Sequence, residues 1–106
     1  GEYVGTGTSG SSNKNSLKFG FKPSMVLITG NGYFGVLTSE VSKYFCAGIS
    51  DWNSLGKNGL AGSVTFDTNG TVSWYATASV GDYNFRDSPN IQFNAQSVTY
   101  SYIAIG

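Results

Sequence analysis

The sequence has no histidine, one cysteine, one methionine and two prolines in 106 residues. Each shortage excludes something. Without histidine the chain lacks the commonest general base, the Ser-His and Cys-His dyads and the usual zinc ligand. A single cysteine, Cys46, makes neither an internal disulfide nor a thiolate cluster. Charge is scarce too. Six basic and six acidic side chains cancel to zero, which leaves no net electrostatic footprint for duplex nucleic acid or an anionic membrane. No apolar run approaches the roughly 20 residues that a membrane helix needs. Helix-forming residues are thinly spread. The start, Gly1-Glu2-Tyr3-Val4-Gly5, is neither basic nor apolar, so no signal peptide is read there. A start without methionine fits a piece of a longer chain.

What is abundant is small and polar, or aromatic. Gly, Ser, Thr and Asn make up 48 of the 106 residues, and 15% of the chain is aromatic. Disordered chains want few aromatics and a high net charge, so this composition predicts a folded domain. The length allows one domain with a modest core, burying roughly 60–70% of the unfolded surface.

Strand signals dominate. Leu17, Phe19 and Phe21 alternate with Lys18, Gly20 and Lys22 until Pro23, which lacks a ladder donor. Met25 to Ile28 is a continuous apolar run and predicts a strand covered on both faces. Tyr33–Leu37 and Lys43–Ile49 flank a turn at Thr38-Ser39-Glu40. Ser50–Gly62 reads as loop. Ser63–Phe66 and Thr71–Ala76 flank Asp67-Thr68-Asn69-Gly70, a hairpin mark because Asn and Gly tolerate positive φ. Val64 and Phe66 are expected on one face, as are Val72, Trp74 and Ala76. Thr77–Asn90 is a second polar loop. Ile91, Phe93 and Ala95 alternate as a further strand. Val98, Tyr100, Tyr102 and Ala104 line one side of a last, central strand with Ser101, Ile103 and Ile105 on the other. Residues 1–16 are read as a flexible Gly/Ser/Thr/Asn-rich arm that contributes no core, with a short Tyr3-Val4 strand, and 17–106 as a single domain. The expected fold is all-β, a small antiparallel β-sandwich of six to eight strands.

Candidate chemistry is sparse. Asp51, Asp82 and Asp87 lie in loops where two carboxylates across a cleft would suit glycoside hydrolysis, but they read equally as solvated loop acids, and Asp67 as a turn residue. No calcium-loop spacing occurs; Asp51-Trp52-Asn53 is the nearest fragment. Cys46 lies in an alternating strand and reads as a small core hydrophobe with no base to activate it. Gly5-Thr6-Gly7-Thr8-Ser9-Gly10 matches a dinucleotide loop as a string, yet no apolar strand precedes it and no helix follows. The expectation is therefore no enzyme, no cofactor and no metal.

Aromatic and amide residues in loops remain. Trp52 sits between Asp51 and Asn53; Tyr83 sits between Asp82 and Asn84, with Arg86 and Asp87 close by. A flat ring meets the C–H face of a sugar, and planar amide, carboxylate and guanidinium groups meet its hydroxyls. These eight residues are the candidate ligand-binding set. The alternatives are a Trp52 folded back as a loop plug and a Tyr83 packed in a subunit interface. Trp74, mid-strand, is expected in the core.

Two end segments and the centre carry a resemblance. The first is Gly5-Thr6-Gly7-Thr8-Ser9-Gly10 followed by Asn15–Pro23, with its Phe19-Gly20-Phe21-Lys22-Pro23, and Met25–Ile28; the second is Asn94–Gly106, ending Tyr100-Ser101-Tyr102-Ile103-Ala104-Ile105-Gly106; Thr65–Tyr75 lies between them. Together they resemble small C-terminal domains of tail-fibre and tail-tip proteins from phages of Gram-positive and gut bacteria. More distantly, they are similar to H-type lectins, six-stranded sandwiches that trimerise and bind N-acetylgalactosamine-type sugars. The chain lacks the histidine often found in those lectin sites and their disulfide pair, so that sugar specificity is not carried over. The resemblance implies a homotrimeric receptor-binding module at a fibre tip, binding a bacterial cell-surface glycan. It would be made in bacterial cytoplasm and carried on the virion, with neither nucleic-acid binding nor membrane insertion. The other reading is a purely structural trimerisation or decoration module. The apolar residues of the last strand, Tyr100, Tyr102, Ile103 and Ile105, exceed what a thin sandwich needs and predict an interface.

Overall fold

In a computed structural model, residues 1–48, 58–77 and 89–106 are described. They form eight strands: β1 (Glu2–Val4), β2 (Asn15–Lys18), β3 (Met25–Gly30), β4 (Tyr33–Thr38), β5 (Lys43–Gly48), β6 (Asn58–Phe66), β7 (Thr71–Ala76) and β8 (Thr99–Ile105). Every neighbouring pair is antiparallel, in the order β1-β8-β3-β4-β5-β6-β7-β2. The all-β antiparallel class expected from the sequence is thus present. The sheet curls upon itself: Tyr3 of β1, at one edge, meets Trp74 of β7, next to the opposite edge strand, with ring centroids 6.3 Å apart.

The curl encloses the alternating apolar positions. Val26, Ile28, Leu37, Tyr44, Cys46, Val64, Val72, Trp74 and Tyr100 are all buried in one cluster. The β6–β7 register sets Val64 against Trp74 and Phe66 against Val72, as the alternation requires. The hairpin turn uses one positive φ, at Gly70 (90°); Asn69 is not left-handed. Asp67 organises it, its Oδ1 accepting the N–H groups of Asn69 and Thr71 at 3.0 and 3.1 Å.

The sequence expectations fail at four places, each for a local reason. β2 stops at Lys18, because Phe19 bonds the turn carbonyl of Gly70 and Phe21 faces solvent. β3 is covered on one face only: Val26 and Ile28 are buried, while Met25 and Leu27 are half-buried outside. The stretch read as loop to Gly62 is strand from Asn58 onward. A register shift between Tyr44 and Phe45 leaves Ala61 between Leu60 and Gly62, which pair with Phe45 and Tyr44. Only glycine fits at 62, since a Cβ there would lie 2.0 Å from the carbonyl oxygen of Tyr75. Ile91–Ala95 is not a strand; Ile91, Gln92, Phe93 and Asn94 are all buried in successive turns, with Phe93 at φ 58°. The last strand, β8, is interior as expected, paired with β1 on one side and β3 on the other, while Ile103 and Ile105 are exposed on its outer side.

The N-terminal arm is tied down. Tyr3 packs on the core, and the N–H groups of Gly5 and Gly7 donate to the carbonyls of Val98 and Asn94.

Candidate functional site

Asp51, Trp52, Asn53, Asp82, Tyr83, Asn84, Arg86 and Asp87 lie outside the described residues. The described site is one that strand periodicity hides, a groove between the arm and β2. It is built on the buried segment Ile91–Asn94.

Three aromatic side chains hold that segment by its main chain. Tyr44 Oη donates to the Ile91 carbonyl at 2.7 Å, Trp74 Nε1 to that of Gln92 at 2.8 Å and Tyr3 Oη to that of Phe93 at 2.7 Å. The ring of Phe93 fits against β4 because residue 35 is glycine; a Cβ there would lie 2.6 Å from the ring. With the main chain fixed, two amide side chains reach outward to the arm. Gln92 Oε1 accepts from the N–H of Gly10 and of Ala76 at 2.8 and 2.9 Å, and its Nε2 donates to the Asn13 carbonyl at 2.7 Å. Asn94 Oδ1 accepts from Thr6 N–H at 3.0 Å, while its Nδ2 donates to Thr6 Oγ1 and the Thr8 carbonyl at 2.8 and 2.9 Å. A buried amide must be satisfied, and here satisfaction folds the Gly/Ser/Thr-rich arm over the core.

The groove left between arm and β2 has a volume of about 350 Å³. Tyr3 and Leu17 lie along its base, and Thr6, Thr8, Asn13 and Ser16 along its sides. Lys14 is the one charged residue among its described lining. The two walls are the two edge strands, β1 and β2, and no backbone bond joins them. Antiparallel ladders alternate bonded and non-bonded pairs. Since Gly5 and Phe19 donate into their ladders, Val4 and Ser16 turn their N–H and C=O groups toward the groove. It therefore offers uncharged donors and acceptors above a partly aromatic base.

Titratable chemistry is muted. Burial drives the Tyr3 hydroxyl far above its ordinary value of 10.0, the neighbouring Tyr100 adds to this, and the hydrogen bond with Asn15 opposes it. Tyr3 therefore stays a neutral donor. Burial also pushes the Cys46 thiol up to about 12, so it is a poor nucleophile. Among the described residues no three His, Cys, Asp or Glu side chains are grouped to hold a metal ion. The described polar lining of the groove thus consists of hydroxyls, amides and strand-edge groups with a single ammonium, that of Lys14.

Gln92 and Asn94 escaped the sequence reading because polar residues between Ile91, Phe93 and Ala95 look like the wet face of a strand. The available signal was that both are amides, able to satisfy backbone groups of the polar arm. No family model, curated protein or solved structure matches this chain.

Proposed function

We propose that this chain is a non-enzymatic, lectin-like receptor-binding module of a phage tail fibre or tail tip, binding bacterial cell-surface carbohydrate as a homotrimer on the virion. The observation that carries the reading is the groove: uncharged hydroxyls, amides and free strand-edge groups beside Tyr3, in a volume of about 350 Å³, which lies in the range of small-ligand sites. Sugars present that same mixture of hydroxyls and C–H faces. Asp51-Trp52-Asn53 and Asp82-Tyr83-Asn84 with Arg86 and Asp87 add a second set of ring and planar polar groups from the loops. Multivalent display offsets weak single-site affinity.

The second reading, a structural trimerisation or decoration module without a ligand, is favoured by one observation, the apolar outer surface of β8. Ile103 is 64% exposed and Ile105 45%.

A glycan array probed with the intact oligomer separates the two. The carbohydrate reading expects a defined set of glycans to bind, with loss on Val4→Trp, which fills the groove, or on Trp52→Ala or Tyr83→Ala in the loops. Silence on the array and on whole host cells overturns it and leaves the structural module.

A further inference from the structure

The outer surface of the curled sheet is divided in a way that composition conceals. From Lys14 through β2 side chains alternate, so Asn15 and Leu17 face inward while Lys14, just before the strand, and Ser16 and Lys18 within it are exposed. Register carries that outward face across the sheet. Ser16 pairs with Ser73 and Lys18 with Thr71 of β7. Ser73 pairs with Thr65 and Tyr75 with Ser63 of β6. Ser63 pairs with Lys43 of β5. The face is thus a field of hydroxyls with three lysines and one tyrosine. None of its strand positions is acidic, and none of the three lysines has an ion-pair partner among the described residues. Lys14 Nζ stands over the Tyr75 ring, 5.5 Å from its centroid, and the Ser16 and Ser73 hydroxyls are bonded to each other at 2.9 Å. A net charge of zero therefore coexists with a face whose strand positions carry only positive charge, with Asp67 in the hairpin turn opposite Thr71 and Glu40 beside Thr65 at its margin.

The spacing of the lysines is informative. Lys14, the residue before β2, and Lys18, at its end, are four residues apart along extended chain, about 13 Å; Lys43 lies three strands away from β2, about 14 Å. No single phosphate or carboxylate bridges such distances. A polymer with recurrent negative charges does. Lys14 also lines the groove, so groove and face are continuous over the edge of β2.

We propose that the glycan bound by this chain is an anionic polymer, bearing carboxylate or phosphodiester groups, which runs from the groove across the β2-β7-β6 face and is held there by Lys14, Lys18 and Lys43. The inference rests on the carbohydrate-binding reading above and names its ligand class. The Tyr75 ring beside Lys14 offers a sugar C–H face a stacking partner next to the ammonium. The hydroxyl pairs between lysines meet the uncharged parts of each repeat.

The test uses the intact oligomer and four soluble probes: oligogalacturonate, a poly(glycerol phosphate), a neutral malto-oligosaccharide and a DNA duplex. The expected result is that one of the two anionic glycans binds more tightly than the neutral one, and which of them does so identifies the anion. Binding should weaken as salt rises and the screening length shrinks. Replacing Lys14, Lys18 and Lys43 together by Gln should weaken it about tenfold, since each exposed pair contributes a few-fold at most. The matching triple Arg variant should retain binding, and Lys22→Gln should leave it unchanged. If the neutral glycan binds as tightly and the Gln variant changes nothing, the anionic class is overturned while carbohydrate binding stands. Equal retention of the duplex overturns it as well, because charge alone would then explain the binding. Silence on all four probes, together with silence on the array, overturns both readings.

Discussion

At the scale of single residues, Cys46 shows how burial sets chemistry. It is fully buried on β5, among side chains that offer no cation. Desolvation disfavours the thiolate, and the thiol is pushed up to about 12 from an ordinary 9.0. The consequence for stability has a definite sign. The unfolded chain gives up this proton near pH 9 and the folded chain does not, so the contribution is complete below pH 9 and is lost as pH rises toward 12. By pH 10.5 the loss is about 2 kcal/mol, at 1.36 kcal/mol for each pH unit above the unfolded value. Tyr3 and Tyr100, both raised by burial, steepen the decline above pH 10. Urea midpoints at pH 7.5 and 10.5 check this. Wild type should lose more stability between the two than Cys46→Ala, which starts lower at pH 7.5 because of its small cavity. Equal losses in both proteins would remove the thiol as the cause.

At the scale of elements, the segment Ile91–Asn94 does more than any strand to determine the shape of the groove. Its four buried side chains face two ways: Ile91 and Phe93 into the core, Gln92 and Asn94 into the arm. Replacing Gln92 with Leu leaves the N–H groups of Gly10 and Ala76 and the carbonyl of Asn13 without their partner. Buried orphans cost about 1–3 kcal/mol each, so a loss of about 3 kcal/mol is expected by denaturant titration, with faster amide exchange at Gly10. A change under about 0.5 kcal/mol would mean that the arm is held by something else. This element also marks the limit of what the sequence reveals. Hairpins built from local alternation, such as Val64 and Phe66 against Trp74 and Val72, were legible because period two fixes which face is buried. The turn at Asp67–Gly70 was legible because its chemistry is local. Ile91–Ala95 has the same alternation, yet it folds as turns because three distant aromatic side chains, Tyr3, Tyr44 and Trp74, bind its carbonyls. Those partners are at least 18 residues away in the chain, and no local pattern announces them. The arm was misjudged for the same reason. Its glycines and threonines gain structure from the amides of Gln92 and Asn94 and from the carbonyls of Asn94 and Val98, all distant in the chain.

At the scale of the whole molecule, the outer surface has a second face that complements the cationic one. Ile103 of β8 pairs with Leu27 of β3, Leu27 with Val36 of β4, Val36 with Phe45 of β5, and Phe45 with Leu60 of β6. Five apolar side chains thus stand in one cross-strand row over about 19 Å. Leu60 is 46% exposed and Phe45 37%. The sequence placed the interface on the last strand, but Tyr100 is buried inside and Tyr102 half-buried; the apolar surface instead runs sideways across the sheet. Full burial of such side chains contributes about 1.5–3 kcal/mol each, while association costs about 4–15 kcal/mol in lost freedom. A row that is already half-covered does not offset that cost through a single weak contact. Cyclic closure, in which every copy makes two contacts, does so more readily. The expected outcome is a concentration-dependent trimer in sedimentation equilibrium. Phe45→Lys combined with Ile103→Lys should convert it to a monomer whose thermal midpoint, measured by circular dichroism, no longer depends on concentration. Because both side chains face away from the core, the monomer should keep its strand content. A wild type that stays monomeric at micromolar concentration would refute the trimer and, with it, the avidity on which weak glycan binding relies.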